Sequence, residues 1–379
     1  MKSLFQSIKA LVIKDIKITF RNPILLLFSV IMPVVFIFLY SIITQVSATN
    51  PIVIGRDSYG AASNEFIEII KNMKSIDGPY FTVNVLDGQE AMSLYEKGKV
   101  AAIIEIPADF DKNIKENEPS NANLYVNNLN SDGTKNFQLR LSHAIYIFQK
   151  QYDTNSVINI EETYSRFTED VSMKLYISIG LLMFAVIYSS MINTGILMAR
   201  EWEERTAKEI VMTPKGFSPL VIGKWISTLF LTTISSMLVI IVLHFTLNFP
   251  IKEMKINVFG WLLVLFFFGA SIGSLIGIGI KRTLPIVTIS GITGIALYLV
   301  CGNESSIRGF AHGGAIEVLW NISKYIPICQ ITENIRYTFI QYGAYPDYES
   351  LIVAIILIFI FTAISTFGLK SSLYNTSGQ

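Results

Sequence analysis

The sequence predicts an α-helical integral membrane protein of six transmembrane helices, with an extracytoplasmic α/β domain inserted between the first and second. Three observations lead there. Hydrophobic residues make up 51% of the 379 positions and charged residues only 16%, too apolar and too sparsely charged for a chain solvated by water alone. Six runs, at residues 24–45, 175–198, 225–248, 258–280, 283–301 and 350–370, are apolar over the roughly 20 residues that a hydrocarbon core requires. A long polar stretch, residues 46–172, separates the first two runs.

Residues 1–22 read as an amphipathic helix. Leu4, Phe5, Ile8, Leu11, Val12 and Ile16 recur at helical spacing, while Lys2, Lys9, Lys17 and Arg21 fall opposite. Such a helix lies in the inner membrane interface, although Asp15 interrupts its apolar face. The first run is followed by Val46-Ser47-Ala48, a loose likeness of a signal-peptide cleavage site. A signal core has only about 7–15 residues, so the longer stretch from Ile24 to Ile43 reads as a retained span.

Within residues 46–172, β-rich runs (Pro51 to Gly55, Tyr80 to Leu86, Val100 to Ile106, Ala122 to Asn127) alternate with helical patterns over Ala61 to Lys74, Gln89 to Lys97 and Phe137 to Gln151. That alternation, punctuated by Asp77-Gly78-Pro79, Asp87-Gly88 and Ser131-Asp132-Gly133, predicts a small α/β sheet domain. Residues 302–349 mix Phe310, Trp320, Ile322, Ile326, Ile328 and Ile331 with charges, the pattern of a re-entrant or interfacial segment at the outer face.

Charge distribution sets the orientation. Lys2, Lys9, Lys14, Lys17 and Arg21 precede the first run; Arg200, Arg205, Lys208, Lys215 and Lys224 lie between the second and third; Lys281 and Arg282 follow the fourth, and Lys370 ends the sixth. Positive residues resist translocation, so all these, with both termini, belong in the cytoplasm. The net charge of +1 carries no nucleic-acid footprint.

Apart from Lys370 at the end of the sixth, the apolar runs contain one ionisable residue, His244, whereas carriers driven by ion gradients need intramembrane charge. His143, His244 and His312 lack metal-ligand spacing, so no metal site is expected. Cys301 and Cys329 read as packing residues, bridged only if both face outward. No catalytic constellation and no phosphate-binding loop occur; Gly223-Lys224 runs into Trp225 at a membrane helix. The chain is therefore not expected to be an enzyme or to hold a cofactor itself.

The cytoplasmic loop 199–224 has the densest charge pattern. Glu201 and Arg205, Glu204 and Lys208, and Arg205 and Glu209 are opposite charges at i,i+4, and Trp202, Thr206 and Ile210 line another face until Thr213-Pro214 stops the helix. By itself this is either a solvated, self-paired hairpin or a stiff lever that docks into another protein. The stretch Met198 to Pro214, followed by Gly223-Lys224, resembles the cytoplasmic signature of ABC-2 type transporter permeases, the membrane subunits of type V-like ABC exporters. Three further stretches extend the likeness over essentially the whole chain: Lys14-Asp15-Ile16-Lys17 with Arg21-Asn22-Pro23 and Pro33, Ala101 to Phe110, and Tyr325-Ile326-Pro327 through Glu333-Asn334-Ile335-Arg336.

The resemblance implies a permease of the bacterial cytoplasmic membrane that exports an amphiphilic or hydrophobic cargo such as a drug, an antibiotic peptide or a lipid. A separate cytoplasmic ABC ATPase, in two copies, would bind ATP and Mg, and a second permease, identical or homologous, would complete the assembly. It also implies that Arg200, Glu201, Trp202, Glu204, Arg205, Thr206, Glu209, Ile210, Thr213 and Pro214 form the ATPase-coupling helix. Met183, Tyr188, Ser189 and Ser190 on the second span are candidates for a translocation surface. The alternative is a membrane-anchored receptor or scaffold that binds ligands through its external domain without transport; a channel or secondary carrier fits the uncharged spans less well.

Overall fold

The computed structural model describes residues 2–48, 50–96, 100, 102–116, 118–126, 131–152, 172–206, 218–304, 314–339 and 348–377. The chain divides into two compact units, one of residues 1–42 and 166–379 and the other of residues 43–165.

The first unit is helical. Helix α1 (Lys2–Arg21) is followed by α2 (Pro23–Leu26), a π-helical turn (Leu27–Ile31) and α3 (Met32–Ala48), which run on from one another. Pro33 explains the widened turn. Without an N–H it cannot bond the carbonyl of Ser29, which instead accepts from Ser189 Oγ at 3.1 Å and Asn193 Nδ2 at 3.5 Å. The sequence pattern places Pro33 in the span without announcing this break.

Five helices among the described residues are long and apolar enough to cross a membrane: α8 (Met173–Glu203), most of α9 (Ser218–Leu247), α10 (Ile256–Ile280), α11 (Thr283–Val300) and most of α14 (Tyr348–Ser377). Two shorter helices, α12 (Gly314–Ser323) and α13 (Pro327–Phe339), precede α14. Every residue of α8 from Ile177 to Ala199 is buried, and α9, α10, α11 and α13 all pack on it. Close approach of α10 depends on Gly269, Gly273 and Gly277, spaced four apart on one face. A Cβ on Gly273 would stand 2.2 Å from the Met191 carbonyl oxygen, and one on Gly277 2.5 Å from that of Gly195. Small residues at this spacing are how helices associate in lipid, where apolar burial gives no drive.

A disulfide between Cys301 and Cys329, with Cα atoms 4.7 Å apart, ties the end of α11 to α13 and corrects their reading as plain packing residues. Arg336 of α13 is buried beside it; Nη2 donates to Asn303 Oδ1 at 2.8 Å, Nη1 pairs with Glu333, and the guanidinium lies 3.6 Å from the Tyr176 ring centroid. A buried cation is tolerable because it is paired and stacked at once.

The second unit holds a four-stranded sheet in the order β4 (Phe81–Leu86), β1 (Asn50–Arg56), β5 (Ala102–Ile106), β6 (Asn123–Val126). Both β4 and β5 run parallel to β1, and β6 is antiparallel to β5. A separate hairpin pairs β2 (Lys74–Ser75) with β3 (Gly78–Pro79), where Gly78 takes a φ of 121° open to glycine. Helices α4 (Ala61–Asn72), α6 (Phe110–Lys115) and α7 (Ser131–Tyr152) cover one face through Phe66, Phe110, Phe137 and Phe148, and α5 (Gly88–Glu96) covers the other through Ala91. Burial on both faces accounts for the nearly unbroken apolar run Ala102-Ile103-Ile104. Asp111 holds the start of α4, accepting from Ser58 Oγ and from the N–H groups of Gly60 (2.8 Å) and Ser63 (3.0 Å). Partial burial raises its carboxyl, but these donors outweigh that and hold it down at about 2.

Candidate functional site

The functional candidate is a charged junction where α1, the end of α8 and the start of α9 meet. Its positioning begins with Gly223 of α9. A Cβ there would lie 3.2 Å from Leu11 Cβ, so α1 packs close enough for the next residue, Lys224, to reach it. Lys224 is 1% exposed, with Nζ 2.9 Å from Asp15 Oδ1 and 2.5 Å from Glu201 Oε1; Asp15 and Glu201 are each 2% exposed. Lys14 Nζ approaches Glu201 from the half-exposed side at 3.4 Å, Ser227 Oγ donates to Asp15 Oδ2 at 3.4 Å, and Thr206 Oγ1 donates to Glu201 Oε2.

Two carboxylates and two ammonium groups thus balance in a space with little water. Each partner satisfies charges that would be prohibitive alone. Burial pushes the Asp15 carboxyl up from its ordinary value, opposed by Lys224. The break that Asp15 makes in the apolar pattern of α1 is accordingly a contact and not an imperfection.

Around this core, Arg200 pairs with Glu204 one turn on. Trp202 packs with Met198, Leu220, Val221, Ile278 and Leu369, and its ring lies 5.7 Å from Lys281 Nζ. Glu203 accepts from the N–H and hydroxyl of Thr283 at 2.8 and 2.9 Å. Two expectations for the loop are corrected. The helix does not run on from Trp202 past Thr206: α8 ends at Glu203, and Arg205 adopts a left-handed φ of 59°. Nor does Glu201 pair with Arg205, because it turns inward to Lys224. Glu209, Ile210, Thr213 and Pro214 lie outside the described residues, as do Lys208 and Lys215.

The proposed translocation residues are all in the packed interior of α8 in the single chain. Met183, Tyr188, Ser189 and Ser190 are buried; Ser189 serves the Ser29 carbonyl, Ser190 Oγ donates to the Ile187 carbonyl, and Tyr188 stacks on Phe184. Sequence reasoning missed the Asp15–Lys224–Glu201 junction, although a lone acid on an apolar face and a lysine at the mouth of a span were signals for it. It also missed the Gly269-x-x-x-Gly273-x-x-x-Gly277 stripe, which is legible from spacing alone.

A profile described as ABC-2 family transporter protein matches residues 23–367. Among curated proteins, a probable multidrug ABC transporter permease of Escherichia coli strain K12, YbhS, is 23% identical over 272 residues, 69% of this chain and 69% of that one. The protein of the same name from Escherichia coli O157:H7 matches to the same extent. No solved structure matches the chain.

Proposed function

Because this chain belongs to the ABC-2 transporter family and is a multi-pass ABC transporter permease, a partner of an ATPase subunit, we propose that it exports an amphiphilic or hydrophobic cargo from the cytoplasm. Drugs, antibiotic peptides and lipids fit spans whose single ionisable residue apart from their ends is His244. In this reading the interrupted helix from Pro23 to Ala48 is a sixth span, both termini are cytoplasmic, and the α/β unit stands outside the bacterial cytoplasmic membrane. ATP and Mg are held by two copies of the partner ATPase, hydrolysis is theirs and not this chain's, and a second permease completes a two-fold assembly.

The observation that carries the reading is the ion junction of Asp15, Glu201 and Lys224. It fastens three helices together at the root of the loop between α8 and α9, giving the loop a stiff base. Closure of the ATPase pair pushes the loop, and the junction passes that displacement to α1, α8 and α9 as a body rather than letting it dissipate. Arg200, Trp202, Glu204, Arg205 and Thr206 form the described part of the docking region, with Glu209, Ile210, Thr213 and Pro214 continuing it.

The test is affinity purification of the tagged protein in mild detergent from its native cells, with mass spectrometry of what copurifies. The expected result is a stoichiometric P-loop ATPase that is lost on combining Glu204→Ala with Arg205→Ala. Both side chains are exposed, so this pair leaves the buried junction intact. Recovery of the protein without any ATPase, under conditions that preserve a control ABC complex, would favour a receptor or scaffold instead.

A further inference from the structure

The root of the loop grips a second helix besides α9. We infer that Glu203, assisted by Trp202, is a positioning residue that delivers movement of the loop directly to α11, an inference that rests on the ATPase-coupled reading above. Residues 201 and 203 stand about 200° apart around a helix, so the two carboxylates at the end of α8 face opposite ways. Glu201 turns to Lys224 of α9. Glu203 turns to the first residue of α11, where its two oxygens take the backbone N–H and the hydroxyl of Thr283.

That contact is the cap of α11. Arg282, at the N-cap position, makes no side-chain cap hydrogen bond, and Lys281 before it is left-handed with a φ of 58°. The first-turn N–H of α11 therefore depends on a carboxylate from another helix, placed where the positive end of the helix dipole favours it. Trp202 holds the same turn through Lys281, so two consecutive residues of α8 hold the short link between α10 and α11.

Farther along, α11 is keyed to α8 at two more levels. Ile286 Cγ2 occupies the space beside Gly195, 2.8 Å from where a Cβ would stand, and Gly294 lies against the Phe184 ring. The opposite face of α11, with Leu284, Ile292 and Leu299, is exposed and is not covered by any of the described residues. A helix held along one side by α8, and tied to α13 only at its outer end by the disulfide, moves with α8 when its inner end is pulled. Glu203 supplies the pull at the end nearest the loop.

The experiment uses the complete transporter with its ATPase, carrying an environment-sensitive fluorophore on Leu284→Cys at the inner end of α11 or, separately, on Ile226→Cys near that of α9. Among the described residues both native cysteines are bridged, so an introduced thiol labels selectively. Magnesium ATP with vanadate should change the signal at both positions in otherwise unsubstituted protein. Glu203→Ala should cut the response at 284 by roughly tenfold, the ratio expected for one charge-assisted hydrogen bond, and leave that at 226. Glu203→Gln, which keeps an acceptor oxygen in place, should restore most of it, and Thr283→Ala should add nothing to Glu203→Ala. An undiminished response at 284 in Glu203→Ala, or equal loss at both positions, would overturn the inference. Silence at both positions in the unsubstituted complex, or failure of any ATPase to copurify, would bring down the exporter reading instead, and the inference with it.

Discussion

Replacing Lys224 by methionine keeps the length and apolar stem of the side chain and removes only its charge. Asp15 and Glu201 then remain 2% exposed without the cation that bridges them at 2.9 and 2.5 Å. Removing one member of a buried ion pair costs about 3–5 kcal/mol. Lys14, 3.4 Å from Glu201, compensates one acid in part, which places the expected loss near 4 kcal/mol. For a unit of this size that corresponds to a fall of about 10 °C in the unfolding midpoint, measured on the purified protein in detergent.

The loss should depend on pH in a definite direction. Burial raises the folded-state pKa of Asp15 above 3.8, so its contribution to stability is fully present below that value and declines as pH rises through the folded pKa. Without Lys224 the main opposition to burial is gone and only Lys14 remains against it, so the deficit of Lys224→Met should be largest at neutral pH and shrink on acidification as Asp15 takes up a proton. Adding Asp15→Asn should recover about 1–3 kcal/mol relative to the sum of the single changes. A variant as stable as the parent, a deficit that does not change with pH, or strict additivity of the two substitutions would refute the reasoning.

Three further outcomes are expected. Joint replacement of Cys301 and Cys329 by serine should lower stability by up to about 3.6 kcal/mol, the loop-closure value for their separation of 28 residues, and reductant should produce the same shift in the parent protein. Gly273→Ala should destabilise by about 1–3 kcal/mol because its methyl meets the Met191 carbonyl, whereas Gly260→Ala, with nothing within 4 Å of its Cβ, should be neutral or stabilising in the same thermal assay. Asp111→Asn should cost about 1 kcal/mol at pH 6 after allowance for solvent screening. Its folded pKa is lowered to about 2, so that contribution is present above 3.8 and disappears as pH falls through 2; circular dichroism of acid unfolding should show parent and variant converging there.

The strands of the second unit were legible because alternation and turn residues act over a few neighbours. Patterning over Tyr80 to Leu86 and Val100 to Ile106 falls within two residues of β4 and β5. The long apolar helices were legible for a similar reason, and α10 and α11 begin and end within two residues of their apolar runs. The loop after α8 was misread in part because i,i+4 spacing records which charges could pair on a continuous helix. It does not record that Glu201 has a better partner elsewhere or that the backbone reverses hand at Arg205. Pro33 was visible, but the π-turn before it depends on donors supplied to the Ser29 carbonyl by Ser189 and Asn193.

The sequence by itself determined that this chain is built mainly from apolar helices, with an α/β unit between the first of them and the rest. Those properties follow from solvent preference and local backbone geometry, which each segment expresses independently. Only the tertiary structure decided that Asp15, Glu201 and Lys224 share one buried site, that Cys301 meets Cys329, and that Glu203 caps α11. Lys224 and Asp15 are 209 positions apart, and Glu203 and Thr283 are 80 apart. At such distances no local periodicity relates two residues, and their pairing is set by which helices pack, how closely their glycines allow it, and which charges then lose their water.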